Sequence, residues 1–105
     1  MPLSSQQRKR LKAIAHHLKP IVTIAGNGIS ESVLSELERA LEDHELIKIK
    51  IVAEEREDRV ALIHEITRQT QAELVHSVGK TAVLVRYSNR PKPKLSNLLR
   101  SQSGR

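Results

Sequence analysis

The chain has 105 residues, a net charge of +6, no cysteine, and Tyr87 as its single aromatic residue. This length leaves room for one folded domain, and the absence of cysteine excludes disulfides and thiolate metal sites. Because Phe and Trp are absent, the core must consist of Leu, Ile, Val and Ala. For the same reason, RNA-binding folds that stack bases on aromatic platforms are excluded.

The N-terminal residues predict a helix followed by a buried strand. Ser4 and Gln7 match a capping box. Apolar residues then recur with helical spacing, which predicts a first helix from about Ser5 to Leu18. Pro20 ends this helix, and the β-branched run at residues 21–24 is typical of a buried strand.

A glycine-containing turn, residues 25–28, separates this strand from a second helix. Ser30 is a good N-cap, and the helix is expected from about Glu31 to Asp43. Residues 46–52 then alternate between apolar and charged positions, the pattern of a half-buried strand. One side of the sheet is therefore expected to be solvated and basic, with Lys48 and Lys50.

The rest of the chain predicts one helix, a hairpin and a tail. The third helix, over about 54–70, begins with an acidic stretch. Residues 74–78 and 81–87 are expected as two strands joined by a two-residue turn, Gly79-Lys80. Proline, basic and small polar residues dominate from position 88, which predicts a mostly disordered basic tail over 88–105.

These elements predict a single α/β domain over residues 1–87 with the order α-β-α-β-α-β-β. Strands separated by helices need crossover connections, so part of the sheet should be parallel, and the final hairpin adds an antiparallel pair. No stretch approaches the roughly 18 to 20 apolar residues of a membrane span, and the first residues lack an apolar signal region. A cytoplasmic monomer without membrane contact is expected.

Charge is segregated along the chain. Residues 1–30 contain five Lys or Arg and no acid, residues 31–73 contain all twelve Asp and Glu with six Lys or Arg, and residues 74–105 contain seven Lys or Arg and no acid. Two basic surfaces and one acidic surface follow, and a polyanion is the natural partner for the basic ones. A solvated charge run without a partner is the alternative.

The turn at residues 25–28 is the most informative local feature. A glycine turn that opens a helix presents backbone N–H groups and the positive end of the helix dipole, so it can cradle a phosphate. The alternative is that Gly26 and Gly28 only provide positive φ angles for a tight turn. Helix 1 favours the phosphate reading because it carries basic side chains near one face, at Lys9, Lys12, His16 and Lys19.

A second basic cluster lies near the C terminus. It combines the hairpin tip and the last strand with the tail, at Lys80, Arg86, Arg90, Lys92 and Lys94. Such residues supply non-specific attraction to a polyanion. They also deter edge-to-edge aggregation of the sheet, and the two explanations are compatible.

Catalytic and metal-binding patterns are not found. The glycine turn matches neither the dinucleotide fingerprint nor the P-loop spacing. The five histidines lack the spacing of metal ligands, and the carboxylate pairs Glu38/Glu42 and Glu54/Asp58 are better explained as solvated helix faces or first-turn dipole partners. We expect no enzyme activity, no cofactor, no metal and no small-molecule substrate.

Several separated motifs resemble one known family. The runs are Leu11–Pro20, Ile29–Glu31, Glu42–Lys50 and Gly79–Arg86, and together they cover about residues 3–87. They resemble the bacterial YhbY proteins, which are stand-alone CRM (chloroplast RNA splicing and ribosome maturation) domains. This resemblance implies a four-stranded mixed sheet similar to the C-terminal domain of translation initiation factor 3. It also implies binding to ribosomal RNA in precursors of the large ribosomal subunit, in an assembly role without known catalysis.

The family's Gly-x-x-Gly RNA-contacting loop falls on residues 25–28, where Ala25 replaces the first glycine. The hypothesis is therefore an RNA-binding assembly factor, whose contacts would be Lys9, Lys12, His16, Lys19, Ala25, Gly26, Asn27, Gly28, Ser30, Lys80 and Arg86. A protein-interaction module with charged surfaces is the alternative from another class, together with a non-specific nucleic-acid binder. DNA recognition is weakened because no helix-turn-helix or zinc-finger pattern is present.

Overall fold

A computed structural model describes residues 2–25 and 28–103. Four strands form one mixed sheet in the order β1-β2-β4-β3. β1 is parallel to β2, whereas β4 pairs antiparallel with both β2 and β3. The predicted α/β class and mixed sheet are confirmed, with one further helix at the C-terminal end. In chain order the elements are α1 (Ser5–Ala15), β1 (Pro20–Ala25), α2 (Glu31–His44), β2 (Leu46–Val52), α3 (Arg56–Thr70), β3 (Glu73–Val78), β4 (Thr81–Val85) and α4 (Asn97–Ser103).

The first face of the sheet carries the larger core. Alternate residues of β2 are buried against α2 and α3, as the period of a half-buried strand requires. Neighbouring strands and α2 contribute Ile24, Leu37 and Leu84, all fully buried. The predicted inward face of β2 is therefore confirmed, with Ile47, Ile49 and Ile51.

The second face is only partly covered. Helices α1 and α4 pack over the end of β2 that begins at Leu46 and over the adjoining part of β4, around Val83 and Val85. Leu11 and Ala15 of α1 are buried there. The other half of this face stays open to solvent. The prediction of a solvated basic side therefore holds for the half near the end of β2.

The helix ends follow the local sequence signals. Ser4 and Gln7 form the predicted capping box, and Ser30 caps α2 through its side chain. Helix α1 ends at Ala15, three residues earlier than predicted. The N–H groups of His17 and Leu18 bond to carbonyls three residues back, so the chain tightens into a turn there. None of the helices in residues 2–25 and 28–103 has the length and apolarity needed to cross a bilayer.

The C-terminal segment, residues 88–103, differs from the predicted disordered tail. It ends in helix α4, and Leu98 is buried in the core of the second face. The side-chain amide of Asn97 donates to the carbonyl of Leu46 at 2.6 Å. The domain therefore extends beyond residue 87, because its second face needs this segment to cover it.

A buried carboxylate holds the C-terminal segment in place. Glu45, only 3% exposed, accepts hydrogen bonds from the backbone N–H of Ser88 at 2.6 Å and from the hydroxyl of Ser96 at 2.7 Å. Ser96 is fully buried, and its Oγ in turn accepts from the first amides of α4. Lys92 pairs with Asp43 at the end of α2. These partners lie about fifty positions apart in sequence, so local composition does not reveal them.

Candidate nucleic-acid interface

The two faces of the sheet differ in charge. Five of the acidic residues lie on α2 and three on α3, both on the first face. The sequences of α1 and α4, on the second face, contain no acid. The segregation along the chain thus becomes a segregation between layers, and the second face is the one suited to a polyanion.

The glycine turn begins where β1 ends. Ala25 is exposed, and its carbonyl accepts from the N–H of Gly28 at 3.3 Å. Gly28 has φ +121°, a conformation that disfavours other residues, yet a Cβ there would meet no atom within 4 Å. Gly28 is therefore required for its backbone angle, and the space beside it is open. The predicted contacts Gly26 and Asn27 lie outside the described residues.

The N-terminus of α2 follows this turn. Ser30 Oγ accepts from the N–H of Val33 at 3.2 Å and lies 3.1 Å from the hydroxyl of Ser32. The remaining amides of the first turn have no acceptor within the helix and sit at the positive end of its dipole. Glu31 places a carboxylate at the same end. That carboxylate would oppose a bound anion.

The basic side chains of α1 and the turn after it are available to a ligand. Lys9, Lys12, His16 and Lys19 are all exposed. No carboxylate in residues 2–25 or 28–103 forms an ion pair with any of them. Arg8 differs, because its guanidinium donates to the carbonyls of β3 and so anchors α1 to the sheet.

Strand β2 extends this basic surface across the open half of the second face. Lys48 and Lys50 alternate with the buried isoleucines, and Lys50 lies beside Thr23 of β1. Burial, and after it the positive charges of Lys12 and Lys48, lower the pKa of His76 on β3 below its ordinary value. Lys12, Lys48 and His76 therefore form one cluster. We call the accessible part of this face the open sheet face, and it comprises Ile21, Thr23, Lys48, Lys50, Val52, His76, Val78 and Thr81.

The open sheet face connects α1 to the glycine turn. The two helices α1 and α2 pack on opposite faces of the sheet, so α1 does not lie directly beside the turn. Ala25 pairs with Val52, and a strand rises about 3.3 Å per residue, which puts the turn roughly 13 Å along β2 from Lys48. The lysines of β2 fill this interval.

The sequence indicated that Lys48 and Lys50 face solvent but did not place them among the contacts. It also dismissed His76 as a scattered histidine. The available signal was the alternation in β2. The pairing of His76 with Val83 of β4, which brings it to the same face, has no local signature.

The second predicted basic cluster is largely engaged within the protein. Arg86 is about one-fifth exposed and donates to a carboxylate oxygen of Glu38 at 2.7 Å and to the carbonyl of Thr70 at 2.9 Å. Lys80 pairs with Glu54 at 3.1 Å, but both side chains are solvated, so this pair is weak and exchangeable. Arg86 thus links α2, α3 and β4, whereas Lys80 remains accessible.

Within the residues that the structure describes, no three histidine, aspartate or glutamate side chains come together as metal ligands. His16 and His17 contact each other edge to face, with ring centroids 5.5 Å apart. The arrangement is thus a broad basic surface with a glycine turn at one end.

Comparisons with known proteins show the family of the chain. The CRS1/YhbY (CRM) domain matches residues 3–86. The chain is 50% identical to a probable RNA-binding protein of Pseudomonas aeruginosa over 95% of this chain and 96% of that one. It is 45% identical to an RNA-binding protein of Haemophilus influenzae, over 89% and 94% of the two chains. The solution structure of a hypothetical Staphylococcus aureus protein, for which RNA binding is proposed, superposes with a TM-score of 0.76 at 29% identity, covering 90% of this chain and 98% of that one. The chain belongs to the CRS1/YhbY (CRM) domain family.

Proposed function

We propose that this protein binds ribosomal RNA in precursors of the large ribosomal subunit and assists their assembly without catalysing a reaction. The observation that carries the proposal is the basic second face, where α1 and α4 contain no acid and lysines of α1 and β2 lead toward the glycine turn. Relatives named as RNA-binding proteins support RNA as the polyanion. The motifs shared with the YhbY proteins support ribosomal RNA as the kind of RNA.

Each part of this surface has a distinct role in the proposal. The lysines contribute ionic contacts to phosphates, which position an RNA but read little sequence. The glycine turn and the first amides of α2, with Ala25, Gly26, Asn27, Gly28 and Ser30, hold one phosphate at short range. His16 adds a contact when protonated. Lys80 contributes a further ionic contact when a phosphate replaces Glu54 as its partner. Arg86 takes no part, because its guanidinium donates to Glu38 and Thr70 inside the domain.

Crosslinking in cells followed by sequencing of the attached RNA tests this function. The wild-type chain is compared with the variant Lys9→Glu/Lys12→Glu/Lys19→Glu, which changes three exposed side chains without ion-pair partners in the described residues. A control with the same change in charge reverses three exposed arginines of the first-face helices, Arg39, Arg56 and Arg68. Arg39 and Arg68 form solvated ion pairs with Asp43 and Glu65, and such pairs contribute little to stability.

We expect reads from large-subunit ribosomal RNA for the wild type and the control, and their loss for the lysine variant. Reads concentrated on other RNAs would refute the ribosomal assignment. If the wild type yields no RNA but a stable protein complex, RNA binding itself is wrong and a protein partner takes its place.

A further inference from the structure

A groove runs between α1 and α4 over the covered half of the second face. Its wider part has a volume of about 620 Å³ and its narrower part about 210 Å³, and the two share Leu18, Asn97 and Arg100 as lining residues. We call it the α1–α4 groove. Its polar lining comprises Arg10, His17, Lys19, His44, Lys48, Asn97, Arg100 and Ser101.

Among residues 2–25 and 28–103, no Asp or Glu lines the α1–α4 groove. Arg10 and Lys19 have no ion-pair partner in the part of the chain that the structure describes. The two carboxylates next in sequence to the lining residue His44, those of Asp43 and Glu45, have partners outside the groove. Lys92 pairs with Asp43, and the two serines of the C-terminal segment bond to Glu45. The C-terminal segment therefore supplies, through Lys92, a cation that offsets the charge of Asp43.

The C-terminal segment also builds one wall of the groove. Asn97, Arg100 and Ser101 come from α4, which is held by Leu98 in the core and by Ser96 on Glu45. The CRS1/YhbY (CRM) domain match ends at residue 86, so this wall lies beyond it. A chain that ended there would keep the glycine turn and the lysines of α1 but would have no groove.

We propose that the α1–α4 groove binds the phosphate backbone of RNA, which makes the C-terminal segment a second part of the RNA interface. A polyanion is the ligand that a groove lined by Arg10, Lys19 and Lys48 recognises. The described lining residues of the groove include no Phe, Tyr or Trp, and cations outnumber its two histidines, so we expect it to take the backbone rather than stacked bases. Lys48 and Lys19 border both this groove and the surface described above, so one RNA can continue from one to the other. The inference rests on the proposed RNA-binding function.

The test measures the affinity for a short ribosomal RNA hairpin at several salt concentrations. The variant Arg10→Ser/Arg100→Ser removes one cation from each wall. The control Arg39→Ser/Arg56→Ser removes two exposed arginines from the first-face helices, so the change in net charge is the same. Arg10→Lys/Arg100→Lys keeps the charges and shows whether the positions tolerate substitution. Thermal unfolding of every variant reports on the fold.

We expect the serine variant to bind on the order of tenfold more weakly, with a salt slope shallower by about 1.4 to 1.8, since each lost phosphate contact removes about 0.7 to 0.9. The control Arg39→Ser/Arg56→Ser and the charge-conserving variant Arg10→Lys/Arg100→Lys should bind like the wild type. If the folded serine variant keeps the wild-type affinity and slope while Lys9→Glu/Lys12→Glu/Lys19→Glu loses binding, the groove is not part of the interface and the proposed function stands. If the wild type itself does not bind the hairpin, the proposed function is refuted, and the inference about the groove is refuted with it.

Discussion

Replacement of Glu45 by alanine should release the C-terminal segment. The carboxylate accepts one hydrogen bond from Ser88 and one from Ser96, and both it and Ser96 are buried. A hydrogen bond to a charged group contributes about 1.5–3 kcal/mol, and a buried donor left unpaired adds a desolvation cost. Part of this lost free energy is regained, because the released segment forms hydrogen bonds with water. We therefore expect Glu45→Ala to lower the free energy of unfolding by about 3 kcal/mol.

For a domain of this size, 1 kcal/mol corresponds to about 4–8 °C in Tm, so the midpoint should fall by roughly 12–24 °C. Urea unfolding measures the loss, and hydrogen exchange should show faster exchange of the α4 amides than of the β2 amides. Glu36→Ala, on the exposed side of α2, is the control and should change stability by less than about 0.5 kcal/mol. A loss below about 1 kcal/mol with α4 still protected would refute the role assigned to Glu45.

Three further predictions concern the RNA-binding surface. The pKa of His76 is lowered in the folded chain, so the unfolded chain takes up this proton at higher pH, and stability should decrease as the pH falls below about 6.5. A phosphate on the open sheet face would raise the pKa of His76, so calorimetry in two buffers should detect proton uptake on RNA binding that His76→Gln removes. Identical proton uptake by both proteins would contradict the placement of RNA on this face. Glu31→Gln should strengthen RNA binding by about two- to fivefold and lower stability by about 0.5 kcal/mol, because the carboxylate interacts favourably with the helix dipole but repels phosphate. Titration measures the affinity and thermal melts measure the stability, and an unchanged affinity would place the RNA elsewhere. Gly28→Ala should cost about 1–3 kcal/mol because its φ is +121° although space is available, and urea unfolding equal to the wild type would show that the angle is not required.

Elements defined by local sequence patterns were predictable. The alternation in β2, the capping box at Ser4 and the N-cap at Ser30 each depend on neighbours within a few positions, and each is observed. The same holds for the hairpin at Gly79, whose φ of +57° fits a two-residue turn.

Features that depend on distant partners were not predictable. The C-terminal segment has the composition of a disordered tail, and its order comes from Glu45 and Leu46, about fifty residues earlier. Arg86 is of a residue type that commonly contacts RNA, but its guanidinium forms an ion pair with Glu38 on α2. His76 joins Lys12 and Lys48 only through strand pairing and the packing of α1.

The salt dependence of RNA affinity tests the central claim most directly. If Lys9, Lys12, Lys19, Lys48 and Lys50 each meet a phosphate, the logarithm of the association constant should fall with the logarithm of salt concentration with a slope of at least about 3.5 to 4.5. The reversal of Lys9, Lys12 and Lys19 should abolish the binding. An affinity that stays flat between low and moderate salt would contradict the claim that this basic face holds RNA.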